Sequence, residues 1–167
     1  MQIREFRPGD IGSLERLYRA AFPAEDLVPL LRDLSREPGI IALVAEADDG
    51  LAGHVAVSPC GIAGTRDRAA LLGPLAVAPG HQRQGIGSAL VRAAIDRAEA
   101  AGLGRVCVLG DPAYYGRLGF RPEPGIAPPY RPPEEWRTAW QSAGRGPALR
   151  GRLEPPAPWC KPELWSP

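Results

Sequence analysis

Residues 72–102 read LGPLAVAPGHQRQGIGSALVRAAIDRAEAAG. An apolar, strand-like run ends at the Pro79-Gly80 turn, a polar loop carrying Gly85 and Gly87 follows, and a long run of helix formers comes next. Ile86, Leu90, Val91, Ala94, Ile95 and Ala98 recur at helical spacing, which predicts an amphipathic helix closed by Gly102. Glycines at a helix mouth let backbone N–H groups turn toward a ligand without interference from Cβ. The first turn of a helix has donors without acceptors and a partial positive charge. With Arg83 beside it and almost no negative charge, this mouth suits an anion, and a diphosphate held without a metal in particular.

Two common phosphate loops do not fit. Gly80 and Gly85 have the GxxxxG separation, but Ile86 and Gly87 stand where a magnesium-nucleotide loop needs Lys and Ser or Thr. Gly85-x-Gly87 is followed by Leu90 at the third glycine position of a dinucleotide fingerprint, and no acidic residue closes the next strand.

Composition narrows the class. The 167 residues suffice for one domain with a real core, and a net charge of +1 without a basic block argues against nucleic acid as a partner. The three cysteines are odd in number and widely spaced, so neither a disulfide framework nor a CxxC metal site is indicated. The charged start MQIREFRPGD lacks a signal-peptide core, and no apolar run is long enough for a membrane span. The chain reads as a soluble, cytoplasmic protein with no membrane partner.

Working outward, Ile3–Phe6 is a short strand, and Asp10 is placed to cap a helix with its apolar face on Ile11, Leu14, Leu17, Tyr18 and Ala21. A second helix carries Leu27, Leu30, Leu31 and Leu34, with Pro29 in its first turn. IIALVAEA and LAGHVAVSP read as a hairpin around Asp49-Gly50, with a loop from Cys60 to Arg68. Gly73-Pro74 interrupts the next strand, so a bulge or a splayed strand is expected there. RVCVLG is a buried strand, Asp111-Pro112 opens a short helix AYYGRL, and Gly119-Phe120 leads into a last core strand. The remainder is proline-rich, but four tryptophans are too many for a free tail, so it is expected to pack back as an irregular lid or edge. The order is mixed α/β, with an antiparallel hairpin early and a strand–helix–strand unit late.

PLAVAPGHQRQGIGSALV resembles the coenzyme A motif of the GNAT-type N-acetyltransferase superfamily, [Q/R]-x-x-G-x-[G/A], and VLGDPAYYGRLGF is similar to the later strand–helix–strand part of that family. The resemblance spans roughly residues 1–125 and extends to a bacterial subgroup of predicted acetyltransferases. It implies an α/β (α+β) fold with a central, mostly antiparallel sheet, splayed at the cofactor strand and flanked by helices. Residues 1–125 would form the acetyl-CoA-binding domain, and 126–167 a Pro/Trp-rich extension packing on it.

The resemblance also implies the chemistry: direct attack of a primary amine on the acetyl thioester of acetyl-CoA, a cosubstrate needing no metal. The pantetheine arm would pair along Leu75, Ala76 and Val77, and the pyrophosphate would lie on the amides of Gln82, Arg83, Gln84, Gly85, Ile86, Gly87 and Ser88. An amide on the splayed strand would stabilise the oxyanion. Tyr115, five residues before Phe120, would protonate the departing thiolate, with Tyr114 as the alternative. Adjacent helical residues point about 100° apart, so one tyrosine can pack while its neighbour faces the cofactor.

For a base, the sequence offers Glu25, Asp26, Glu46 and His54 without choosing; His81 sits in the glycine loop beside the phosphates, and a water chain or an already deprotonated amine would make a dedicated base unnecessary. Cys107, between Val106 and Val108, reads as a small buried hydrophobe. The acceptor is a small-molecule or peptide amine, and the assembly is open, a homodimer included. A non-catalytic acyl-CoA-binding sensor or interaction module would carry the same glycine loop. The proton donor and an open acceptor cleft would distinguish the two.

Overall fold

The register of two adjacent strands around Gly73-Pro74 organises this fold. The computed structural model describes residues 1–167. Its elements are β1 (Gln2–Glu5), α1 (Ile11–Ala21), α2 (Val28–Arg36), β2 (Ile41–Ala47), β3 (Gly50–Ile62), β4 (Arg68–Val77), α3 (Ile86–Ala100), β5 (Val106–Leu109), α4 (Pro112–Tyr115), β6 (Arg121–Pro122), β7 (Ile126–Ala127), β8 (Trp140–Ala143) and β9 (Gly151–Glu154). The main path of the sheet runs β1-β2-β3-β4-β5-β8-β6, and β9 joins β3 to β7. Within the main path only β4 and β5 pair in parallel, the outcome of a crossover through α3.

Period-two alternation sends neighbouring strand residues to opposite faces. Leu43, Val55, Val57 and Leu72 pack beneath α3 against Leu90, Val91 and Ala94. Val44 and Ala76 face the other way, against Leu14, Leu17 and Tyr18 of α1 and Leu31 of α2. Further along that face, Leu30 and Leu34 of α2 meet Leu71, Cys107, Trp140, Trp159 and Trp165. The sheet is thus covered on both faces.

Val55 pairs with Leu75 and Val57 with Leu72, so Gly73 and Pro74 together oppose the single residue Ala56. That is a bulge at the expected position. On the other flank, β4 pairs with β5 only at Ala70–Val106 and Leu71–Cys107. Beyond Leu71 the two strands diverge and the edge of β4 is open.

Several elements differ from the sequence reading. The hairpin turn is Asp48-Asp49, one residue early, because Ala47 pairs with Gly50 at φ 122°. β3 continues through Pro59 to Ile62, where a loop was expected. Pairing with β2 ends at Val57 and pairing with β9 begins at Gly61, so one flank of the strand carries no ladder at Pro59 and a missing N–H is tolerated. Asp10 makes no side-chain cap on α1. Its carboxylate instead accepts from the Arg7 N–H at 2.8 Å and pairs with Arg4 at 2.9 Å.

The last core strand is not the one after Phe120. Phe120 is buried, but β6 has two exposed residues and lies outside β8. β8, from the proline-rich tail, pairs with all of β5, so this part of the tail is regular and interior rather than an irregular edge. Polar anchors hold it there: Arg105 donates to the Gly144 carbonyl and to Ser142 Oγ at 2.9 and 2.8 Å, and the Trp140 indole donates to the Ile126 carbonyl at 2.7 Å.

Candidate active site

The bare mouth read from Leu72–Gly102 is built at the end of β4. Gly85, in the left-handed region at φ 80°, occupies the N-cap position of α3. Arg83, a non-glycine residue, is also left-handed at φ 63°, a strained conformation of the kind that clusters at ligand sites. The Gln82 side-chain amide donates to the Val77 carbonyl at 3.1 Å and ties the loop to β4. His81 contacts the Asp49 carboxylate at 3.0 Å and ties it to the β2–β3 hairpin. The His81 N–H bonds to the Ala78 carbonyl at 2.8 Å, and the next amide with a backbone acceptor is that of Ala89, bonded to the Gly85 carbonyl at 3.0 Å. The N–H groups from Gln82 to Ser88 have none. A continuous run of free donors at a helix start is an anion cradle.

A cavity of about 750 Å3 opens on this cradle. Leu75 and Val77 form its floor, and Gln82, Arg83, Gly85, Ile86, Gly87 and Ser88 form one wall. Of the residues expected here, Ala76 and Gln84 do not line it; Ala76 packs on the opposite face against α1 and α2. Arg92 and Arg117 join Arg83 in the lining, and no carboxylate does. Arg92 lies one helical turn after Ser88 on the same face, a signal the sequence contained. Arg117 stands 5.9 Å over the Tyr114 ring, a placement that only tertiary packing creates.

A second cavity, about 220 Å3, occupies the gap between the diverging strands. Its walls are Leu72 to Leu75 of β4, Val108 and Leu109 of β5, Phe22, Leu27 and Leu30, and Trp159, Leu164 and Trp165 from the tail. Leu75 lines both cavities.

The two tyrosines divide between them. Tyr114 lines the large cavity, its hydroxyl so close over Gly87 that a Cβ there would sit 2.5 Å from it. Tyr115 lines the small one. The Tyr115 ring packs edge-on against Tyr114 and Phe120 at 5.0 and 5.3 Å and lies on Gly110, where a Cβ would collide with it. Burial, and then the neighbouring Tyr114, pushes the Tyr115 phenol above its ordinary value of 10, so it stays protonated at neutral pH.

An anion cradle at a helix start thus stands beside an apolar gap in the sheet. The sequence model of the Acetyltransferase (GNAT) family matches residues 11–120. The chain belongs to this family. It is 34% identical over 137 residues to YjhQ of Escherichia coli K12, covering 78% of this chain and 75% of that protein. It is 37% identical over 123 residues to YhbS of the same organism, covering 72% and 73%. Both relatives are described as uncharacterized N-acetyltransferases. The structure of E. coli YhbS in complex with CoA superposes with a TM-score of 0.82 at 29% identity, over 96% of this chain and 92% of that one. A GNAT acetyltransferase from Brucella melitensis in complex with acetyl-CoA gives 0.77 at 29%, over 95% and 97%.

In this GNAT acetyltransferase the base candidates separate cleanly. Glu25 lines the small cavity, where it is the only carboxylate. Asp26 accepts from the Val28 N–H at 3.2 Å at the start of α2, and Glu46 is paired with Arg4 at 2.6 Å. His54 is buried and shares a 2.7 Å hydrogen bond with the Tyr18 hydroxyl. Burial lowers His54 to about 3, partly opposed by Asp10, so it is a neutral core residue. Cys60 and Cys107 are buried, and burial pushes both thiols up, Cys60 to about 12. No helix is long and apolar enough to cross a membrane.

Proposed function

We propose that this protein transfers the acetyl group of acetyl-CoA to a primary amine by direct attack in a ternary complex. The observation that carries the proposal is the pair of cavities meeting at Leu75, one facing free amides and arginines, the other apolar and lined by a phenol. The pyrophosphate of acetyl-CoA lies on the amides of Gln82–Ser88, with Arg83, Arg92 and Arg117 offsetting its charge. The pantetheine arm runs along the open edge of β4 at Leu75, Ala76 and Val77 and pairs with its backbone.

The amine enters from the small cavity and loses one proton to solvent before it attacks. Its nitrogen adds to the thioester carbonyl, and an N–H on the open edge of β4 stabilises the oxyanion. As the carbonyl re-forms, the C–S bond breaks. Tyr115 donates its proton to the sulfur and is restored by the proton leaving the new amide nitrogen. Residues 1–125 supply the cofactor walls, and 126–167 supply Trp159, Leu164 and Trp165 of the acceptor wall.

A non-catalytic acyl-CoA sensor would share the cradle. The separate acceptor cavity, with the Tyr115 hydroxyl unbonded to protein, favours turnover. Calorimetric titration in chelator tests the cofactor: CoA should bind without magnesium, and binding of Mg-ATP in its place would overturn the reading. Thiol release from acetyl-CoA that depends on both enzyme and an added amine tests transfer.

A further inference from the structure

We infer that the acceptor is a compact primary amine with a single positive charge and an apolar, aromatic body, and that Glu25 and the tail residues Trp159, Leu164 and Trp165 select it. The inference rests on the proposed acetyl transfer and adds the class of amine.

Size is the first argument. The small cavity holds about 220 Å3, which the acceptor shares with the acetyl thioester because Tyr115 lines it, whereas cavities that enclose drug-sized ligands run to about 300–1,000 Å3. An amine built of several sugar rings, or a folded peptide segment, is too large to be enclosed.

Wall chemistry is the second. Four aromatic side chains, Phe22, Tyr115, Trp159 and Trp165, face the space. Their polar handles are largely spent inside the fold: the Trp159 indole donates to Ser58 Oγ at 3.0 Å, and the Trp165 indole to the Trp159 carbonyl at 3.0 Å. These rings therefore offer faces and edges rather than hydrogen bonds, a surface that stacks on another ring. A polyhydroxylated acceptor would leave its hydroxyls unpaired against such walls.

Charge is the third. Glu25 is the only charged residue in the lining, and it is exposed, so it stands at the cavity's mouth. One carboxylate above aromatic walls matches one ammonium on entry. A second ammonium would have no counter-ion, and an acceptor carboxylate would meet Glu25 with like charge. Glu25 also belongs to the short connection between α1 and α2, so the sequence segment that reads the amine is separate from the one that holds the cofactor.

The tail carries much of this selectivity. Trp159 also packs across Gly73, where a Cβ would stand 3.3 Å from its ring, so the acceptor wall abuts the bulge that opens the strands. Leu164 is half-buried and adjusts the cavity's width without belonging to the fully buried core.

The test measures kcat/KM for thiol release from acetyl-CoA with phenethylamine, spermidine, kanamycin, glycine and a lysine-containing blocked peptide. Phenethylamine should exceed every other amine by at least tenfold. Glu25→Gln should raise its KM about two- to fivefold, the range of an exposed ion pair, while CoA affinity by calorimetry stays unchanged. Leu164→Ala should shift preference from phenethylamine toward the bulkier tryptamine by about tenfold, roughly the effect of a methylene in an apolar pocket. If the enzyme binds CoA but prefers spermidine, kanamycin, glycine or the peptide, or acetylates none of the panel, the inference falls and the cofactor assignment stands. If CoA does not bind at all, the proposed function itself falls.

Discussion

Replacing Tyr115 with phenylalanine separates proton donation from packing at the proposed transfer site. The ring makes the structural contacts, to Tyr114 at 5.0 Å, to Phe120 at 5.3 Å and to Gly110, and all survive in Tyr115→Phe. The hydroxyl makes no hydrogen bond to protein, so its loss should change folding stability by less than about 0.5 kcal/mol. General acids contribute about 10²–10⁴-fold. Burial has raised this phenol above 10, whereas an ordinary thiol titrates near 8.5, so full proton transfer to the thiolate runs uphill. That places the loss at the low end, about 10²-fold in kcat, or about 2.7 kcal/mol of transition-state stabilisation.

Tyr114→Phe is the internal control. Its hydroxyl stands over Gly87 at the cradle, so its removal should weaken CoA binding by less than about tenfold and leave kcat nearly unchanged. The assay is thiol release at saturating acetyl-CoA and amine, with CoA affinity from calorimetry and stability from urea denaturation. Full kcat in Tyr115→Phe, or a larger kcat loss in Tyr114→Phe, would remove Tyr115 from the donor role.

Three further outcomes are open to measurement. Gly85→Glu puts a carboxylate into the cradle at a residue with φ 80°; CoA affinity should fall more than tenfold, while Gly85→Ala, which carries only the backbone strain of about 1–2 kcal/mol, should lose stability but keep most of its affinity. His54 has its folded value lowered to about 3 from 6.5, so below pH 6.5 the unfolded chain takes up a proton that the folded chain refuses, and stability should fall by about 1.4 kcal/mol per pH unit. Urea denaturation should show half that slope at pH 6.5 and nearly all of it below about pH 5.5, and His54→Gln should flatten it whatever its own stability. Trp165 is buried against Trp140 and Trp159, so Trp165→Ala should cost about 3–5 kcal/mol in urea denaturation; a loss under 1 kcal/mol would show that the tail does not stabilise the fold.

Local chemistry made much of this protein legible before folding. Gly85 and Gly87 before an amphipathic run announce a helix mouth with outward amides, because backbone freedom and helix periodicity are properties of short segments. Gly73-Pro74 inside an apolar run likewise announced the bulge, because proline lacks the ladder donor. Asp111-Pro112 announced its helix for the same kind of reason, and the Asp111 carboxylate accepts from the Ala113 N–H at 2.9 Å.

What lay beyond the sequence depends on partners distant along the chain. Nothing near Trp140 says that it starts a strand beside β5, since β8 is chosen by the open flank of Val106–Leu109 and by Arg105 reaching Ser142 and Gly144. Asp10 has the residue type of a helix cap, but the half-buried Arg4 outcompetes the helix for its carboxylate. Adjacent tyrosines are equivalent on paper; Gly110 seats one ring and Gly87 meets the other hydroxyl, and that alone sends Tyr115 toward the small cavity and Tyr114 toward the cradle. The small cavity itself joins Phe22 and Glu25 to Trp159 and Trp165. No local pattern can place residues so far apart in sequence on one surface, because only the closed sheet and the packing of the tail upon it bring them together.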